Sequence, residues 1–243
     1  MLFLLRKIRR KLISTDNKFI TYLLYAIGEI VLVVVGILIA VSVNDWNEEI
    51  KTRKQLKETI IALKADLAMD TVLIHQRLPE IKEQYQLNES LRSRVADSNA
   101  NIDTLTKVAR YDFNPNWTEP LMYNTNSHNS LTNSGLIEIL PDTLRDPIKN
   151  YYKQKFSKLN LVKRITDDYR GKLASYVSTY LHDQGPLIDS LVWDDIDFGH
   201  LAASFQGLSN YKRILFDLTK DEMEYSKAVS KTLIIQIDQF LEK

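Results

Sequence analysis

The chain has 243 residues, no cysteine, few Gly (7) and Pro (6), and 32 basic residues against 31 acidic ones. The missing cysteine excludes thiol catalysis, disulfide staples and cysteine-based zinc sites. The scarcity of Gly and Pro disfavours a turn-rich β fold and points to long helices. The net charge of +1 hides an asymmetry: residues 1–18 carry +5, whereas the remainder, Glu29 aside, carries −3.

In residues 1–14, MLFLLRKIRRKLIS, a helical wheel puts Met1, Leu4, Leu5, Ile8 and Leu12 on one face and Arg6, Arg9 and Arg10 mostly off it. This predicts a short basic amphipathic helix lying on an anionic inner leaflet. A nucleic-acid-binding arm is the weaker alternative, because an apolar run follows at once, and no nucleic-acid partner is expected. Ser14, Thr15, Asp16 and Asn17 supply cap residues that separate this helix from the next.

Residues 19–43 form the apolar run, whose ionisable side chains are Tyr22, Tyr25 and Glu29 alone. A bilayer core of about 30 Å needs about 20 helical residues. Tyr22 and Tyr25 at one end and Trp46 at the other resemble aromatic belts, and basic residues precede the run while Asp45, Glu48 and Glu49 follow it. The reading is one transmembrane helix with residues 1–18 cytoplasmic and residues 44–243 outside. A cleaved signal peptide is the rival, with a small-x-small site at Ala40–Ser42, but its apolar region spans only about 7–15 residues.

Glu29 then lies roughly 7–8 Å inside the cytoplasmic boundary. In one reading Gly28 and Gly36 let helices approach and Glu29 hydrogen-bonds across an oligomer seam. In the other, Glu29 carries protons or ions, as intramembrane acids do. Small energised inner-membrane proteins share the layout, which is analogy at the level of architecture. The structural reading is preferred because one acid near an interface has no partner in its own helix.

After Trp46 the apolar positions Leu56, Ile60, Leu63, Leu67 and Leu78 keep helical spacing. The membrane helix is predicted to continue outward, with Pro79 kinking it or opening a second helix. Ile81, Tyr85, Leu91 and Val95 carry on the stripe. Residues 97–101 interrupt it, and a short helix follows from Asp103 to Arg110. Residues 111–141 are rich in Asn, Ser, Thr and Pro and read as loops and short helices packed on the long ones, with Gly135 as a helix C-terminal cap. Leu144, Ile148, Tyr151, Leu159, Val162, Tyr169, Leu173, Tyr176 and Tyr180 then mark a helix of about 40 residues from Asp142, closed by Gly185-Pro186. A last helix, capped by Ser209, carries Tyr211, Leu215, Leu218, Tyr225, Val229, Leu233, Ile237 and Phe240. Helices this long with one apolar stripe bury it against one another.

Motifs for catalysis are lacking. The four histidines form no two-histidine zinc motif, and Ser134-Gly135 lacks the nucleophile-elbow pattern. No phosphate loop or dinucleotide fingerprint is present. His182-Asp183 could meet Asp194, Asp195, Asp197 and His200 around a metal, but solvated loop charge is preferred because calcium-loop spacing is not met. The tyrosines read as bundle filling with hydroxyls at the rim. The candidate recognition surface is Trp117, Tyr123, His128 and Asn133, since loops carry function more often than long helices. A packed cap on the bundle is the preferred alternative.

Three stretches carry a resemblance: LRKIRRKLIS (5–14); YAIGEIVLVVVGILIAVSVNDWNEE (25–49); and FNP (113–115) with LTNSGLIEIL (131–140) and LRDPIKNYY (144–152). Together they resemble a family of uncharacterised single-span proteins found mainly in Bacteroidota, known as a domain of unknown function. The resemblance implies an inner-membrane protein with a periplasmic helical domain and brings no activity with it. One departure is Pro147, at a position where a helix former is expected. The combined expectation is an all-α protein: an amphipathic segment, one transmembrane helix continuing into an antiparallel long-helix bundle, and a loop-rich insert at 111–141. Its expected role is that of a non-enzymatic membrane-anchored scaffold or interaction protein of the cell envelope, without a cofactor. The expected partners are the lipid bilayer and a second copy or another envelope protein. A periplasmic sensory bundle and an ion-coupled accessory subunit using Glu29 are the alternatives.

Overall fold

The computed structural model describes residues 18–117, 123–180 and 185–242, the side chains of 18–21, 188 and 189 excepted. The amphipathic helix expected over residues 1–14 and the cap at Ser14–Asn17 lie outside the described residues. The described elements are all helical. They are α1 (Lys18–Ala96), α2 (Ile102–Lys107) running into a π-turn (Val108–Asp112), α3 (Asn126–Asn133) and a 3-10 turn (Leu136–Ile139). Then come α4 (Asp142–Thr179), α5 (Pro186–Trp193) and α6 (Phe198–Leu241). The chain divides by contacts into two units, Met1–Leu56 and Lys57–Lys243.

The described part of the first unit is helix, and every side chain described from Tyr22 to Ile50 is exposed. Ion pairs one turn apart, Lys51–Glu48 and Arg53–Glu49, line its end, the spacing at which oppositely charged side chains meet on a helix.

The second unit is a bundle of three long helices. Tyr151 on α4 meets Ser230 on α6, and Tyr180 meets His200, so α4 and α6 run antiparallel. Lys82 pairs with Glu224 and Asn88 with Ser209, so α6 is antiparallel to α1 as well. Of the predicted stripe, Leu56, Ile60, Leu63, Leu67, Leu78, Ile81 and Leu91 are buried, Tyr85 and Val95 are half-buried, and Ile74 joins the buried face. Each such buried side chain contributes about 1.5–3 kcal/mol over remaining exposed.

Three expectations about where helices begin and end need correction. Pro79 lies inside α1 and opens no second helix. His75, whose carbonyl loses its bond, and Pro79 are both exposed, so water can solvate the gap. Gly185-Pro186 does not close α4, which ends at Thr179; Gly185, at φ 96°, precedes Pro186 as the first residue of α5. Ser209 does not cap α6: Asp197 does, accepting from the His200 amide at 3.0 Å, and Ser209 is buried well inside the helix. Pro147 sits just past the first turn of α4, and Gly135, at φ 72°, follows α3 as the expected left-handed cap.

Ile74 is fully buried against a cluster containing Phe216 and Met223. Ile74→Ala is expected to cost about 2–5 kcal/mol, whereas Lys163→Ala on the exposed side of α4 changes stability by about 0.5 kcal/mol at most. Urea unfolding followed by circular dichroism measures both.

Candidate functional site

Three charged residues fall in phase with the apolar stripes. Asp70 lies between Leu67 and Ile74, Lys155 one turn after Tyr151, and Glu222 beside Met223; they are 1%, 0% and 2% exposed. Buried charges need partners, and the bundle supplies them. Lys155 Nζ donates to Asp70 Oδ2 at 2.8 Å and to the Tyr151 hydroxyl at 3.3 Å. The same ammonium lies 3.9 Å from the centroid of the Tyr123 ring, a cation–π geometry. Tyr151 in turn shares a hydrogen bond of 3.0 Å with Ser230.

Three carboxylates, Asp66, Asp70 and Glu222, then tie down the chain after residue 122. Asp70 Oδ1 accepts from the Asn124 amide at 3.1 Å, and Asp66 accepts from the Ser127 amide in the first turn of α3 at 3.2 Å. An acid at a helix N-terminus is favoured by the exposed amides there. Tyr123 donates to Glu222 Oε2 at 2.5 Å, and Ser226 donates to Oε1 at 2.5 Å. Burial pushes the Glu222 carboxyl above its usual range, against the opposing bonds from Ser226 and Tyr123. Burial, with Glu222 next, raises the Tyr123 hydroxyl, so it stays a donor.

A second polar cluster pins residues 109–115. The carbonyls of Ala109, Asn114 and Pro115 accept from Tyr176, Lys212 and Tyr169 respectively. Phe113 packs edge-to-face on Phe205, with ring centroids 5.1 Å apart. Burial pulls the Lys212 amine down to about 8. Four tyrosines are therefore not rim residues: the hydroxyls of Tyr151, Tyr169, Tyr176 and Tyr180 bond inside the bundle, because buried loop carbonyls and polar side chains need donors.

The expected recognition residues separate. Trp117 is half-buried, edge-on to Phe216 at 5.1 Å. Tyr123 joins the buried network. His128 stacks on Tyr152 at 3.8 Å, and burial lowers its pKa. Asn133 is exposed. Three of the four thus turn inward, holding the 111–141 segment to the long helices, and the structure does not bring Asn133 to them. In the first unit Gly28, Glu29, Gly36 and Trp46 are all exposed. Among the described residues no three His, Asp or Glu side chains come together as a metal cluster.

Sequence reasoning missed Asp70, Lys155 and Glu222. The available signal was their phase: each sits at a three- or four-residue step from core positions, where a charge has to be paired.

These features define an all-α protein, a helical bundle with a polar core, in which one helix among the described residues is long and apolar enough to cross a membrane. Residues 29–202 match a family of unknown function, DUF6090, and the chain belongs to that family. No curated protein and no solved structure matches the chain.

Asp70→Leu strands the Lys155 ammonium and is expected to cost about 3–5 kcal/mol. Asp70→Leu combined with Lys155→Met is expected to cost much less than the two single losses added, a coupling that a double-mutant cycle in thermal unfolding measures. The Lys212 amine falls from an ordinary 10.5 to about 8. Between these values the unfolded chain holds a proton that the folded chain lacks, so stability rises with pH. Above about pH 10 unfolded tyrosines ionise while the buried ones resist, which opposes the gain. Urea midpoints from pH 8 to pH 10 are therefore expected to climb more for the native protein than for Lys212→Met.

Proposed function

We propose that this is a single-span protein of a bacterial inner membrane whose helical domain lies in the periplasm and works by binding proteins, without catalysis. The observation that carries the anchor is that every apolar side chain described from Tyr22 to Val43 is exposed on one helix. Water does not tolerate such a continuous apolar surface, and its length fits the hydrocarbon thickness. The basic residues before it and Asp45, Trp46, Glu48 and Glu49 after it orient the N-terminus to the cytoplasm. Gly28 and Gly36 have open space at the Cβ position, so another helix can approach there and Glu29 can bond across the seam.

Support for a non-catalytic role comes from the polar core. Asp70, Lys155 and Glu222 spend their bonds on groups of the same chain and are sealed from solvent, so substrate has no access to them. Their bonds hold Tyr123 and Asn124 to the long helices, and the exposed side chains of α3 are left for a partner.

The absence of cysteine makes topology directly testable. Lys163→Cys is expected to react with a membrane-impermeant maleimide in intact spheroplasts, and Lys7→Cys only after lysis. The reverse pattern overturns the orientation; protein recovered in the soluble fraction overturns the anchor.

A second reading rests on a cleft of about 430 Å³ between the end of α1 and the start of α6, with Glu89, Arg92, Ser93 and Gln206 among its lining residues. This cleft suits a small polar ligand of a sensory bundle. A ligand that raises the melting temperature of the native protein, and not of Arg92→Ala, supports it; a broad thermal-shift screen without such a ligand counts against it.

A further inference from the structure

The helix α1 has a second apolar face within the bundle unit. Ile61, Ala65, Ala68, Met69, Val72 and Leu73 are all exposed, with Ile61 at 48% and Met69 and Val72 at 56%. At about 100° per residue this face lies opposite the buried stripe of Ile60, Leu67 and Ile74. It carries no charge: from Ile61 to Pro79 no exposed residue is Asp, Glu, Lys or Arg, while Lys57, Glu58, Glu80 and Lys82 bound it. The charged residues beside it are engaged elsewhere, Lys64 with Asp238, Arg77 with Glu80, and Asp66 with the Ser127 amide. Ile61, Ala65, Ala68 and Val72 step by four, three and four, the spacing of a coiled-coil seam, with small residues in the middle that permit close approach.

We propose that this face is the seam on which a second copy of the chain pairs, side by side and parallel, across a two-fold axis. The inference rests on the membrane-anchor reading. Three arguments select a second copy. A neutral face offers nothing to steer a charged partner, yet it matches itself, Ala on Ala and Ile on Ile, when two copies lie parallel. Anchors inserted with one topology impose that parallel order. The size also fits: the face offers six apolar side chains, far fewer than the roughly 20–30 residues a side of a stable free dimer. Such a seam is too small to pair dilute chains and large enough for chains held together in a bilayer, where tethering raises the effective concentration to about the millimolar range.

The test uses full-length protein in native membranes and mild oxidation. Ala65→Cys and Val72→Cys are expected to form a disulfide-linked species of twice the chain mass about tenfold more than Lys163→Cys or Thr232→Cys, given the proximity of a paired seam. Adding Met69→Glu, at an exposed position that leaves the melting temperature unchanged, is expected to return Ala65→Cys to the control level. Equal crosslinking at all four positions, or a product of any other mass, overturns the seam. A dimer trapped by Gly36→Cys but not by Ala65→Cys or Val72→Cys, in protein still pelleting with membranes, also overturns it and leaves the anchor standing. Protein that does not pellet with membranes removes both.

Discussion

The bundle depends on one interaction: the ammonium of Lys155, buried where α1, α4 and the start of the 123–133 segment meet. A bare charge there would cost many kcal/mol. Asp70 supplies the counter-charge, Tyr151 an acceptor oxygen, and Tyr123 a ring face. Because these groups come from different parts of the chain, satisfying one amine sets the axial register of α1 against α4 and docks the loop at the same time. Apolar stripes alone define such a register loosely, since neighbouring turns offer nearly equivalent packing.

Glu222 extends the logic to α6. Its two oxygens accept from Tyr123 and Ser226, and the same tyrosine ring covers Lys155. Tyr123 thus bridges a cation and a carboxyl that sit on separate helices. Small side chains along α6, Ser226 and Ser230, leave room for the tyrosines that reach across from α4 and the loop. The buried face of α6 is consequently broader than its apolar stripe, and Tyr211, Leu218, Tyr225, Val229 and Phe240, which periodicity assigns to the core, are only half-buried. A helix with neighbours on two sides buries the arc between them, and here that arc includes Thr219, Glu222, Ser226 and Ser230.

The apolar surfaces left uncovered point the same way. Residues 22–43 are exposed throughout, and within the bundle unit the outer face of α1 from Ile61 to Leu73 is apolar and uncharged. On the proposed reading the first meets lipid and the second a like helix. Polar groups that elsewhere serve chemistry are here turned to holding helices and loop together. On the proposed reading, the protein's work is done by its surfaces.

Much of this was legible in the residues. The long helices follow from three- and four-residue spacing, the break at 97–101 from its Asn and Asp, and the left-handed cap at Gly135 from the need for positive φ. Those are properties of short windows, in which propensity and periodicity act on neighbours. The start of α6 at Phe198 and the uninterrupted passage through Pro79 were not legible in this way. The chain by itself determined which segments are helical and which face of each is apolar, because backbone sterics and solvent act locally. Only the tertiary structure decided that Asp70, Lys155 and Glu222 meet, because pairing charges 85 residues apart along the chain depends on how three helices are brought together.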